Sequence, residues 1–409
     1  MEVFLMTKRV MLATIASMVL STAAFGKNLE FFGSKHDNLQ VLSSVVGQEH
    51  VPAFLGLSDQ KITQFLEQQG AGTFALWKKF TTNQSKSIKQ LKNGSCSLIE
   101  QISANIKQVF SAADPESLLD TKTLAWLTQI KNKNGYLMVR STGAEDSATC
   151  ANAGGNESIA YVKPEPRSVV DAIGSVIASY FGSQSFKNRL NAGEDIFAEI
   201  PPMPVLLQEL IGETVDGALK ETGIPVSGVM FTNEPLYTGT EKFHVTRINS
   251  SYGHGEGVVA NLVPTDTFMI SPSLRNKSLQ TQSVIAQKRA RIIPNKDGKQ
   301  YKLVSIDNNT TIAIRASLST QSLQTLYDLG RKIERHYQQA TDVEFVVLNG
   351  AVYLVQARPV IRTQATPSYL NKAAIDKLTS NPIQEEVDFS TIVPAGSKLL
   401  TLFKSSDIL

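Results

Sequence analysis

A mixed α/β (α+β) protein with a helix-rich first lobe and a strand-rich second lobe is predicted by three observations. Apolar residues recur at gaps of three or four through 85–131 and 168–190, the period of an amphipathic helix. After Pro201-Pro202-Met203-Pro204 that period gives way to short strand-like runs. Near the end, Asn349-Gly350 separates two such runs, a strong hairpin signal.

Residues 37–70 read as a helix, a break at Pro52 and a second helix. Ile88, Leu91, Leu98, Ile99, Ile102 and Ile106 predict helix over 85–112, interrupted near Asn93-Gly94. Leu118, Leu119, Leu124 and Leu127 continue it over 116–131, and Asn134-Gly135 turns the chain into a strand, Tyr136–Val139. Val169, Ala172, Val176, Ile177 and Phe181 mark a helix over 168–190. Beyond the proline-rich hinge, strands are predicted at Val205–Leu210, Gly228–Thr232, His244–Asn249 and Thr267–Ile270. Leu323, Leu326, Leu329, Ile333 and Tyr337 share one face of a helix over 320–338, and Val343–Leu348 with Val352–Gln356 closes the region as a hairpin. The expected division is a first lobe over 27–204, a second over 205–363 and a tail over 364–409 containing Pro367, Pro382 and the turn Pro394-Ala395-Gly396.

With 42% hydrophobic and 19% charged residues among 409, the chain has material for a sizeable core. A net charge of +3 with no run of five or six like charges argues against nucleic acid as a main partner. Cys96 and Cys150 cannot make a four-ligand metal cluster and read as reduced, partly buried thiols. The five histidines are scattered, so any metal would be held by carboxylates and phosphates.

Lys8 and Arg9 precede an apolar run from Val10 to Leu20, and the small residues Ser21-Thr22-Ala23-Ala24 follow before Gly26. This pattern predicts a secretory signal peptide over 1–26 and hence export to the periplasm or beyond; the alternative is a buried first helix in a cytoplasmic protein. The run is too short for a stable membrane span.

Four segments carry chemistry suited to a nucleoside triphosphate, which needs cations, backbone amides, magnesium-binding oxygens and an apolar slot. Gly33-Ser34-Lys35 opens a helix, where N–H groups favour anions and Lys35 adds charge. Arg140 follows a strand, beside Ser141-Thr142-Gly143, and Gly154-Gly155 comes soon after as a flexible backbone able to lie close to phosphates. Glu209 and Leu210 end an apolar strand whose main chain can meet an adenine. Glu344 and Gln356 lie on the two strands of the hairpin, with Arg358 beyond; counting back from the turn sets Glu344 opposite Val355, one residue from Gln356. Taken singly, each also reads as a surface cap, a turn or an ordinary ion pair.

In their order along 30–362, these segments resemble the nucleotide-binding domain of the pyruvate phosphate dikinase and phosphoenolpyruvate synthase family. The resemblance rests on Gly33-Ser34-Lys35, Val139–Asp146, Ala153–Ser158, Gln208-Glu209-Leu210, Ser227–Thr232, Gly253-His254-Gly255-Glu256, Asp342–Phe345 and Gln356–Pro359. It implies an ATP-grasp fold, ATP and Mg2+ as cofactors, and phosphotransferase (kinase) activity. It further implies Lys35 and Arg140 on the phosphates, the Gly154-Gly155 loop over them, Glu209 and Leu210 flanking adenine, Glu344 and Gln356 on Mg2+, and Arg358 on the terminal phosphate. Ser34, Asn233 and His254 depart from the pattern, His254 standing where the family has Leu.

The family passes phosphate to a histidine on a separate domain and then to pyruvate; none of His36, His50, His244, His254 or His336 sits in such a motif. Three readings follow. The chain is an ATP-using phosphotransferase half whose acceptor is a separate phosphohistidine domain or an unknown molecule, or a non-catalytic nucleotide-binding module. The third is an exported enzyme acting on a target where ATP is available.

Overall fold

The computed structural model describes residues 30–94, 96–143, 156–191, 193–214, 224–234, 244–272, 278–294, 301–305 and 311–360. All belong to one compact unit, Met1–Val360. The leader expected over 1–26, Cys150, the Gly154-Gly155 loop and the tail over 364–409 lie outside the described residues.

Two antiparallel sheets organise the described chain. The first has β1 (Phe54–Leu57), β2 (Gly135–Ser141), β3 (Ser158–Val162) and β4 (Val205–Thr214) in the order β1-β4-β2-β3. Leu137 and Val139 of β2 and Val205 and Leu207 of β4 point to one face, because side chains alternate along a strand. That face is covered by α2 (Asp59–Gln69), α3 (Ala71–Thr82), α4 (Gln84–Lys92), α5 (Ser97–Ala112), α6 (Thr121–Asn132), α7 (Pro166–Tyr180) and α8 (Ser183–Asn191), which share its core. Ile99, Ile102, Ile106 and Phe110 form the apolar stripe of α5 and are wholly buried, at the spacing that predicted the helix. Helix α7 crosses them so closely that a Cβ on Gly174 would come within 2.4 Å of the Phe110 Cβ.

The second sheet is six-stranded, in the order β12-β11-β5-β6-β7-β8. Its strands are β5 (Val226–Phe231), β6 (Thr246–Tyr252), β7 (Asp266–Pro272), β8 (Leu279–Val284), β11 (Thr341–Leu348) and β12 (Ala351–Pro359). One face packs on α1 (Ser34–Val46) and α11 (Thr320–Tyr337) through Leu39, Leu42, Leu326, Ile333, Val343, Phe345 and Leu354. Strands β9 (Ala290–Pro294) and β10 (Tyr301–Ser305) form a separate pair, tied to the second sheet by a bridge between Gly253 and Ile292. Two short helices, α9 (Glu256–Val259) and α10 (Thr311–Ile314), complete the unit.

The sequence reading needs several corrections. After Pro52 the chain forms strand β1 before any helix, since Phe54–Leu57 completes the edge beside β4; α2 then starts at Asp59, with the Ser58 hydroxyl accepting from Lys61 N–H. The helix expected over 168–190 breaks at Phe181-Gly182 into α7 and α8. Helix α3 and strands β3, β8, β9 and β10 were not anticipated. Half-exposed and exposed faces on β8 leave little apolar alternation to read there. Cys96 is buried, as its type favours.

One wholly buried ion pair pins the far side of the second sheet. Lys288 Nζ lies 2.8 Å from Asp266 Oδ1, both side chains fully buried. Both carboxylate oxygens have further partners: Asp266 accepts from Ala286 N–H at 2.9 Å and Ser317 N–H at 2.7 Å, while Lys288 also donates to the Ala286 carbonyl at 3.0 Å. Removing one partner strands a charge in the interior, at a cost of about 3–5 kcal/mol. Urea unfolding of Lys288→Met is expected to show a loss in that range, with Asp266→Leu/Lys288→Met recovering part of it; an unchanged midpoint in the single variant would contradict the role.

Candidate functional site

Side-chain alternation brings the candidate residues to the faces of the two sheets turned away from their helices. On the first sheet, Tyr136, Met138 and Arg140 of β2 share a face with Leu206, Gln208 and Leu210 of β4, each opposite its partner. Tyr136, Leu210 and Tyr161 form a small apolar cluster there, with Met138 and Ala160 packed against it. Tyr161 takes φ 58, a left-handed conformation rare for a bulky residue, at an irregularity in the β2–β3 register. That irregularity turns both Ala160 and Tyr161 onto the cluster's face, while Ile159 and Val162 stay with the helical core.

On the second sheet a bulge decides the outcome. Leu348 pairs with Ala351 as counted from the turn, but the register shifts between Glu344 and Phe345. Phe345 lies opposite Leu354 and Glu344 opposite Gln356, so Val355 is an extra residue; the sequence count had set Glu344 against Val355. Without the bulge Gln356 and Arg358 would point into the helical core, since a one-residue slip reverses every side chain beyond it. With it, Asp342, Glu344, Gln356 and Arg358 share the open face.

Arg140 joins the two sheets. Its guanidinium donates to Gln208 Oε1 at 3.1 Å and makes a short hydrogen bond to Gln356 Oε1. Gln208 Nε2 in turn donates to the Val355 carbonyl at 3.0 Å, a group displaced by the bulge. Arg140 Nε is buried and has no partner among the described residues. Arg358 meets Asp342 Oδ2 through Nε at 3.0 Å and through its second nitrogen at 2.9 Å, leaving Asp342 Oδ1 buried and without a partner among the described residues.

Lys35 is carried to the same region by its backbone. Gly33 has φ 84, and a Cβ there would lie 1.2 Å from the Thr142 carbonyl oxygen, so only glycine fits. Ser34 N–H donates to the Gly143 carbonyl at 3.3 Å and His36 N–H to Thr142 Oγ1 at 3.0 Å. The start of α1 thus gives two first-turn N–H groups to the chain just after Arg140, a correction to the expectation that they would serve an anion.

Glu209 and Leu210 part company. Leu210 faces the apolar cluster, whereas the Glu209 carboxylate points to the other face and pairs with Lys133 Nζ at 3.2 Å. Glu209 N–H is taken by the Ala53 carbonyl at 2.8 Å. Strand β1 begins at Phe54, opposite Gln208, so beyond Glu209 the β4 main chain has no neighbouring strand on that side among the described residues.

Gln208 and Val355 are named by the motif and the strand count, but their contacts follow only from the bulge. Arg247 sits on the same open face, two strands from Asp342 through Phe231, held by Glu234 Oε2 at 3.3 Å and Asn249 Oδ1 at 3.1 Å; the alternation of β6 could have revealed it. His254 follows Gly253 at the end of β6, its ring 5.2 Å from that of Tyr161. Burial, and then the positive charge of Arg140, push its pKa down from 6.5 to about 4.

Magnesium takes oxygen ligands, keeps several waters and needs only one or two protein carboxylates beside phosphates. Glu344, the Gln356 amide oxygen and Asp342 Oδ1 supply oxygens on one face and fit that demand. No cluster of three or more His, Cys, Asp or Glu suited to a fully protein-held metal occurs among the described residues. A depression of about 580 Å3 between α1 and α6, lined by Gln40, Ser43, Gln48 and Trp126, touches none of the candidate residues.

The AMP/ATP-binding domain of pyruvate phosphate dikinase matches residues 29–377, most of the chain. The chain belongs to this family. A probable phosphoenolpyruvate synthase of Archaeoglobus fulgidus is 29% identical over 238 residues, 57% of this chain and 28% of that protein. A rifampicin phosphotransferase of Bacillus cereus is 24% identical over 354 residues, 86% of this chain and 37% of that protein. The prodigiosin synthesizing transferase PigC of Serratia marcescens is 29% identical over 255 residues, 61% of this chain and 24% of that protein. The matched regions thus span roughly a quarter to over a third of these relatives. Membership of an AMP/ATP-binding-domain family supports ATP as the ligand and a phosphotransferase-like module. No described helix is long and apolar enough to cross a membrane.

The lowered pKa of His254 has a stability consequence. The folded protein resists protonation until about pH 4, whereas the unfolded chain protonates near 6.5. The unfolded state therefore binds more protons in that window, and stability is full above 6.5 and declines as pH falls towards 4. Urea midpoints at pH 7 and pH 4.5 are expected to differ less in His254→Leu than in the parent; an equal pH response in both would remove this assignment.

Proposed function

We propose that the chain is an ATP-grasp module that binds Mg·ATP between its two sheets and directs the terminal phosphoryl group to an acceptor from outside the described residues. The observation that carries this reading is Arg140, a cation from the first sheet held on Gln356 of the second, beside Glu344 and Arg358. A triphosphate entering there would replace the Gln356 oxygen as partner of Arg140, exchanging a neutral acceptor for charged ones that bind a guanidinium about twice as strongly. Gln208 would keep Arg140 oriented during that exchange through its own bond.

The cluster of Tyr136, Tyr161 and Leu210 supplies an apolar surface for the base, with the unaccompanied edge of β4 beyond Glu209 next to it. Lys35 and Arg140 neutralise the phosphates. Glu344 and Gln356 would hold magnesium, which when bound spreads the charge of the phosphate oxygens. Arg358 lies on the same face and would exchange Asp342 for the terminal phosphate. Such a set works by positioning and by charge, which is most of what phosphoryl transfer asks of a protein.

The names of the relatives support a phosphotransferase and differ in the compound they name, so the acceptor here is left to experiment. Calorimetric titration with ATP, with and without Mg2+, tests the site. Arg140→Ala is expected to weaken binding by roughly tenfold or more in both conditions, as loss of a charge-assisted bond implies. Glu344→Ala should weaken binding only when Mg2+ is present. A folded parent that binds neither form of ATP would overturn the reading.

A further inference from the structure

His254 lies beside the apolar part of the candidate nucleotide site. Tyr161, its ring 5.2 Å away, is itself packed in the cluster with Tyr136 and Leu210. Arg140 is near enough for its charge to act on the imidazole. A nucleotide with its base on the cluster and its phosphates on Arg140 would place its sugar where these two regions meet.

The backbone around His254 is closely fixed. Gly253 takes φ 94, and a Cβ there would lie 2.5 Å from the Ile292 carbonyl oxygen. His254 N–H donates to that same carbonyl at 3.1 Å, and the His254 carbonyl accepts from Gly257 N–H at 3.0 Å. The ring is fixed too: Nδ1 accepts a long hydrogen bond, 3.4 Å, from Glu256 N–H. In a neutral imidazole that leaves the proton on Nε2, which makes Nε2 a donor and removes it as a nucleophile towards phosphorus.

We propose that His254 is a specificity-determining residue whose neutral Nε2–H donates to a ribose hydroxyl of the bound nucleotide, favouring ribonucleotides over deoxyribonucleotides. The inference rests on the ATP-binding reading above and adds to it a residue and a preference. A neutral donor suits a hydroxyl. A protonated histidine here would add a second positive charge beside Arg140 and attract phosphate instead. A leucine at this position would fill the same space and offer no donor.

The test compares ATP, 2′-deoxyATP and 3′-deoxyATP, each with Mg2+, by calorimetry at pH 7.5 in the full chain, His254→Leu and His254→Gln. The parent is expected to bind at least one deoxy analogue about tenfold more weakly than ATP, the worth of one neutral hydrogen bond. In His254→Leu that ratio should fall to about one, and the amide N–H of His254→Gln should restore part of it. A merely structural role would weaken all three nucleotides in step and leave the ratio unchanged, which would overturn the proposal. So would a parent that binds all three alike. Failure to bind ATP at all would instead strike the underlying site, and this inference with it.

Discussion

The hairpin's part of the candidate site, and its link to the first sheet, depend on one extra residue in β12. Val355 has no counterpart in β11, and its insertion turns Gln356 and Arg358 from the helical core to the open face. The same insertion displaces the Val355 carbonyl, and the Gln208 amide from the other sheet takes it. Arg140 then closes a network in which the two sheets are held to each other by three side chains and one main-chain carbonyl. A regular hairpin would have given a tidier ladder and no such joint.

The rest of the architecture positions that joint. Gly33 lets α1 lie directly on the Thr142-Gly143 turn, so the backbone carrying Lys35 is hydrogen-bonded to the segment just after Arg140. Tyr180 braces that segment, with its hydroxyl accepting from Thr142 N–H at 3.1 Å and donating to the Pro204 carbonyl at 2.8 Å. Helix α1 buries Leu39 and Leu42 in the core of the second sheet, while β4 carries Gln208 on the first. The two cores are thereby tied at the place where nucleotide is proposed to bind. The left-handed Tyr161 is the one bulky residue near the site with such a backbone, and its ring completes the apolar cluster beside His254.

Much of this was legible in the sequence, and the gaps have physical causes. Long amphipathic segments announced themselves: the stripe of α5 and that of α11 emerge near their predicted limits, because burial enforces their period. The Asn349-Gly350 turn and the first pairs of the hairpin were equally plain. What period-two counting cannot supply is a register shift. Glu344, Gln356 and Arg358 were picked out by motif and type, but their common face follows from the bulge alone. Strand β1 was missed because four residues give too little pattern, and the opposite facing of the Glu209 and Leu210 side chains is a matter of strand alternation that naming them together does not express. Gln208 stands in the sequence only as part of the Gln208-Glu209-Leu210 motif, and its role in the network follows from its partners.

The central claim is that triphosphate enters between Arg140 and the β11–β12 hairpin by displacing the bond that now joins them. A crystal structure of the protein with Mg2+ and a non-hydrolysable ATP analogue tests this most directly. The account predicts phosphate oxygens on the Arg140 guanidinium, the Arg140–Gln356 bond broken and the Gln208 bonds retained. Nucleotide bound elsewhere, or bound with the Arg140–Gln356 bond intact, would contradict it.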